Sequence, residues 1–134
     1  MRIVADHLRS SIVVIGDGVR PSNTGRGYVL RRLLRRSLTV LRRHGDGALS
    51  LAGLPDELVA DTADRFGLQV EPADVWQVLQ SEERKFAELL RRGRSLLPRL
   101  YPTGRLSEDD YEFLFETHGL PRDVVRELAS ELES

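Results

Sequence analysis

Asn23 lies in a Pro-Ser-Asn-Thr-Gly-Arg-Gly turn, residues 21–27, that runs straight into Tyr28-Val29-Leu30-Arg31-Arg32-Leu33-Leu34-Arg35-Arg36-Ser37. Between Gly18 and Gly45 there are eight arginines and no acid. These residue types suit polyanion binding rather than bond-making. Guanidinium forks match phosphate oxygens. Arg31–Arg35, Arg32–Arg36 and Arg32–Arg35 place like charges three or four residues apart, each pair costing about 0.2–0.5 kcal/mol on a helix. Something must offset that repulsion: acids from another helix, such as the acidic C-terminal segment, or an external polyanion. The pattern leaves those two readings level. A plain solvated face is the ordinary alternative, but such faces mix signs and this one does not.

Other chemistries lack their residues. There is no cysteine, so no disulfide framework and no thiolate ligand or nucleophile. His7, His44 and His118 are far apart in sequence without metal-ligand spacing. No metal, no cofactor and no catalytic residue is expected. Gly25 and Gly27 lack the third glycine and the preceding strand of a dinucleotide loop. Nothing approaches the ~20 apolar residues of a membrane span, and the N-terminus has no secretory pattern. The expectation is a cytoplasmic protein with no membrane partner.

The net charge of −1 hides an asymmetry. From Gly104 to Ser134 there are nine acids against Arg105, Arg122 and Arg126. One pole is basic and one acidic, so a polyanion would meet a defined face. All basic residues but Lys85 are arginine, which fits bidentate phosphate contacts and fits genome composition equally.

The elements that must position these groups are helical. Val4, Leu8, Ile12 and Ile15 recur at helical spacing over Ile3 to Ile15. Over Gly27 to Arg43, Val29, Leu30, Leu33, Leu34, Ser37, Leu38, Val40 and Leu41 share one half of the helical wheel. Tyr28, the arginines and Thr39 take the other half. A small-residue connection, Gly45 to Pro55, leads to a helix from about Asp56 to Phe66. Pro72 opens a long helix to about Leu100, with Glu82-Glu83-Arg84-Lys85 as its solvated face and Gly93 and Pro98 as points of bending or fraying. Ser107 reads as an N-cap, His118-Gly119 as a stop, and Pro121 as the start of a last helix with Val124, Val125, Leu128 and Leu132 inward. No alternating strand pattern exceeds four residues. The expected class is all-α, a single domain over residues 1–134 with about six helices.

Residues 16–37, GDGVRPSNTGRGYVLRRLLRRS, resemble the signature segment of the alanyl-tRNA synthetases, in which DGV and one variable residue precede PSNEGRGYVLRRI and RRA. Upstream, IVADHLRS resembles that family's helix leading into the signature. Downstream, EERKFAELLRRGRSLL resembles its long helix, and FLFETHGLPRDVVRELA its YDTYG(F/L)P segment. The likeness spans nearly the whole chain, less closely from about Asp46 to Pro72. It implies the helical tRNA-recognition domain alone, as a free-standing homologue or a fragment. The catalytic domain that precedes this segment in the family and the editing domain that follows it are expected to be absent, so no enzyme activity is implied.

The resemblance also implies roles. In the family this domain recognises a G·U wobble pair in the acceptor stem through the asparagine of PSN and the aspartate of YDTYG. Those positions are Asn23 and Glu116 here, the second a departure from aspartate. The A-form minor groove is wide enough for side chains, and wobble pairing leaves the guanine 2-amino group without a base partner. A carboxylate can accept from that group. Arg26, Tyr28, Arg31, Arg32, Arg35 and Arg36 are implied as backbone contacts, with Gly25 and Gly27 letting the chain turn close to the RNA. Thr24 stands where the family has glutamate, removing a negative charge. On the residues alone Asn23 reads first as a helix cap or turn residue, Glu116 as a solvated residue near a helix end, and Tyr28 as a ring packed on arginine stems.

Three functions remain open: a non-catalytic module for the acceptor stem of tRNA(Ala)-like RNA, delivering aminoacyl-tRNA to a synthetase or tRNA-dependent partner enzyme; a piece of a full-length alanyl-tRNA synthetase; or a helical protein-interaction module without RNA.

Overall fold

The computed structural model describes residues 2–44 and 57–133. The connection expected over Gly45 to Pro55, with Asp56, lies outside the described residues. Six helices follow in order: α1 Arg2–Gly16, α2 Gly25–His44, α3 Glu57–Phe66, α4 Pro72–Leu100, α5 Glu108–His118 and α6 Arg122–Glu133. Among the described residues there is no strand, and the class is all-α, as the periodicities predict. The helices gather into two compact units, residues 1–84 and 85–134, with α4 running through the boundary.

In the first unit α1 packs on both α2 and α3. Its core joins Leu8, Ile12 and Ile15 to Leu30, Leu34, Leu38 and Leu41 of α2, Val59 and Ala63 of α3, and Val75 and Leu79 of α4. Each fully buried aliphatic side chain contributes about 1.5–3 kcal/mol. Three buried hydroxyls are satisfied within their own helices. Ser11 donates to the His7 carbonyl, Ser37 to that of Leu33 and Thr62 to that of Leu58. Each of these three hydroxyls therefore keeps a partner when buried, whereas the buried Trp76 indole Nε1 has none.

The turn between α1 and α2 holds itself closed. Arg20 Nη1 donates to the Ile15 carbonyl at 2.9 Å, capping the C-terminal end of α1 with a cation where the helix dipole favours one. Ser22 Oγ donates to the Thr24 carbonyl at 2.8 Å. Gly27 is buried, and a Cβ there would fall inside the van der Waals shell of the Arg20 carbonyl oxygen. Gly27 thus lets the chain turn closely by packing on its own turn. Gly25 does face open space, with φ +61.

In the second unit α5 packs on α6, and Phe86, Leu90 and Leu97 of α4 share a core with Leu114, Leu120, Val124, Val125 and Leu128. Ser107 and Asp110 form a reciprocal capping box at the start of α5, and Gly119 ends it in the left-handed region with φ 66. Arg122 pairs with Glu108 and lies 4.4 Å over the Tyr111 ring, tying the start of α6 to α5. α4 continues through Gly93 to Leu100 without a break, with Pro98 inside it. Gly93 admits α6: a Cβ there would overlap Leu128 Cδ1.

Candidate nucleic-acid interface

The basic face of α2 does not stay whole in the folded chain. Arg31 turns towards α4, where Nε donates to Glu82 Oε2 at 3.0 Å and Nη2 to Oε1 at 2.9 Å. Both side chains are nearly buried, Glu82 at 5 % exposure and Arg31 at 12 %. Arg35, one turn further on, is also buried. These positions correct two expectations. Glu82 is not on a solvated face, and Arg31 and Arg35 are not open to an RNA backbone. An acid that offsets the charge of Arg31 comes from α4.

The third guanidinium nitrogen of Arg31 reaches the turn between α1 and α2. Nη1 donates to Asn23 Oδ1 at 2.7 Å. Asn23 is exposed, and its oxygen serves Arg31 rather than capping α2.

Arg26, Arg32 and Arg36 remain on the exposed side. Arg32 lies 5.8 Å over the ring of Tyr28, which is itself exposed, a cation–π contact that orders both side chains. Between Arg32 and Arg36 the surface dips into a shallow cavity of about 150 Å³ lined also by Val29 and Leu33. Val29 is 65 % exposed, against the expectation that it faces the core. The exposed strip is therefore cationic at its edges and apolar in its floor.

Glu116 belongs to the second unit, exposed on the last turn of α5. Two aromatic residues near it are also exposed. Phe115 is at 61 %, and Phe113 packs edge to face on His118 with ring centroids 5.4 Å apart. A second basic surface in the same unit was not anticipated. Arg91, Arg92, Ser95 and Arg99 line a cleft of about 310 Å³ with His118, and Arg92 Nη1 donates to the His118 carbonyl at 3.2 Å. Glu88 pairs with Arg91 at 2.6 Å, and that hydrogen bond holds its carboxyl below the usual range. The spacing 91, 92, 95, 99 carried the signal: it is the i, i+1, i+4, i+8 stripe of one helix face. No described helix is long and apolar enough to cross a membrane.

The described residues thus form an all-helical protein with Asn23 held by Arg31 in a turn beside the exposed Arg26, Arg32 and Arg36. The family it falls in is known: residues 1–134 match the family of class II (A) tRNA synthetases, and the chain belongs to it. Over 98 % of its length it is similar to alanine–tRNA ligases, 41 % identical to that of Fervidobacterium nodosum, 39 % to that of Tropheryma whipplei and 36 % to that of Neisseria meningitidis. The chain spans about 15 % of the length of each of these relatives.

Proposed function

We propose that this chain binds tRNA without catalysing a reaction, engaging the acceptor stem of a tRNA(Ala)-like RNA from its minor-groove side. The observation that carries the reading is the juxtaposition in the first unit of Asn23, held at an exposed turn, with Arg26, Arg32 and Arg36 on the adjoining helix. Arginines of this kind set register on the phosphates, while the turn residue and Glu116 meet base edges. The Arg92–Arg99 surface of the second unit supplies further phosphate contacts. A bound aminoacyl-tRNA would be passed to a partner enzyme, a synthetase or a tRNA-dependent transferase.

The test is binding to an acceptor-stem minihelix over a salt series. Three phosphates neutralised by Arg26, Arg32 and Arg36 would give a slope of log K against log salt of roughly −3, steeper if the second unit joins. No binding at low salt would refute the reading. A wobble G·U stem and its G·C counterpart, compared at fixed salt, test whether Asn23 and Glu116 discriminate.

A second reading is favoured by the extent of the match. Because the chain spans about 15 % of its ligase relatives, the same surface would act as the acceptor-stem arm of a full-length alanine–tRNA ligase. Adding the chain in trans to a ligase lacking this segment, and measuring tRNA charging, separates the two readings.

A further inference from the structure

We infer that Glu82 and Arg31 are positioning residues for Asn23, fixing its side-chain amide so that the oxygen is held inward and the nitrogen is left for the ligand. The inference deepens the RNA reading and rests on it for the identity of that ligand. Glu82 takes two of the guanidinium's donors, Nε at 3.0 Å and Nη2 at 2.9 Å, which sets the plane of the group. With the plane set, the two N–H groups of Nη1 are fixed in it, and Nη1 donates to Asn23 Oδ1 at 2.7 Å. A terminal amide on an exposed turn otherwise samples two orientations related by a half-turn about its last torsion. Arg31 selects one of them, since a guanidinium has donors only and repels the amide N–H groups.

The consequence is chemical. Asn23 meets its ligand as a hydrogen-bond donor, so the atom it contacts is an acceptor. In a minor groove the acceptors are pyrimidine O2 and purine N3. The guanine 2-amino group, a donor, must then be read by a different residue. Glu82, a sequence neighbour of none of the turn residues, thereby shapes what the turn can recognise.

Three variants and two readouts test this. The readouts are the heteronuclear NOE of the Asn23 side-chain NH₂, measured without RNA, and the ratio of affinities for G·U and G·C minihelices. In the unmodified protein the NH₂ is expected to be as ordered as the backbone of α2. In Arg31→Lys and in Glu82→Gln it should become mobile, and the affinity ratio should fall towards one while binding to both stems persists. Asn23→Asp keeps an oxygen for Arg31 but removes both N–H donors, and should cost about tenfold in affinity for the preferred stem.

The exchanged pair Arg31→Glu with Glu82→Arg separates positioning from simple support. It restores an ion pair, so the urea midpoint should recover relative to either single variant. It also sets a carboxylate against Asn23 Oδ1, so the affinity ratio should not recover. Recovery of the ratio together with stability would overturn the inference, as would a mobile NH₂ in the unmodified protein or full binding by Asn23→Asp. Absence of minihelix binding by the unmodified protein would refute the RNA reading instead, and the NOE comparison would then decide the amide's restraint alone.

Discussion

Glu82 of α4 grips Arg31 of α2 through both carboxylate oxygens, at 3.0 and 2.9 Å, in a setting nearly closed to water. One helix thereby takes an arginine out of what its own sequence presents as a continuous basic face. The pair is worth little as net stabilisation against an apolar replacement, because both charges have been desolvated. Breaking it is another matter. Glu82→Ala leaves a buried guanidinium without its counter-ion and is expected to cost about 3–5 kcal/mol in urea unfolding. Changing Arg31 to Met together with Glu82 to Leu should cost much less than the Glu82 change alone, since neither charge is then stranded.

The division of the α2 arginines has a signature in salt dependence. Replacing Arg26, Arg32 or Arg36 with Gln should flatten the salt slope of minihelix binding by about one unit each and weaken all stems alike. Arg35→Gln should instead lower the unfolding midpoint, because Arg35 is 8 % exposed. Fluorescence anisotropy over a salt series, paired with thermal unfolding of each variant, reads both effects.

Gly27→Ala places a methyl group against the Arg20 carbonyl oxygen, a backbone atom that can move only by opening the turn. The expected loss is about 1–3 kcal/mol, with minihelix affinity falling as the turn that carries Asn23 is displaced. Unfolding and binding measured on the same variant should change together.

Gly93→Ala gains helix propensity, about 1 kcal/mol, yet drives a Cβ into Leu128, which is 2 % exposed and has nowhere to go. A net destabilisation of about 1 kcal/mol is expected. Combining it with Leu128→Val should cost less than the two changes added, and a double-mutant cycle in urea measures that coupling.

The Glu108–Arg122 pair has a pH consequence of definite sign. The hydrogen bond from Arg122 holds the Glu108 carboxyl below its ordinary value. A lowered folded-state pKa contributes stability that is present above the unfolded value and is lost as pH falls through the folded one. Carboxyl ¹³C shifts should show Glu108 titrating below an ordinary glutamate, and Arg122→Gln should return it towards that range. Thermal unfolding should then lose part of its acid dependence.

Much of the helical framework is legible in residue order, because its determinants are local. Apolar residues at the 3.6 period mark each helix. Ser107 with Asp110 closes a capping box over three residues, and Gly119 adopts the positive φ that ends α5 without a Cβ penalty. The Pro-Ser-Asn turn with its glycines is likewise visible in the chain, and with it the position of Asn23. Glu82 was not legible as part of the site. Its neighbours Glu83, Arg84 and Lys85 make it look like one charge of a solvated run, and its partner lies 51 residues away.

Val29 and Arg35 show where sequence stops and tertiary structure begins. At 100° per residue both lie about 120° from the centre of the buried stripe of α2, on opposite flanks. Yet the apolar half of the sequence wheel holds Val29 and the polar half Arg35, so hydrophobicity argues for burying Val29. The folded chain buries Arg35 and leaves Val29 exposed. Sequence by itself determined the helices, their caps, the central stripe of α2 and the turn that carries Asn23, since each rests on contacts within a few residues. Only tertiary structure decided which flank of α2 is covered. A charge can be enclosed where it keeps a partner, and the partner of Arg31 comes from 51 positions away, beyond the reach of any local pattern.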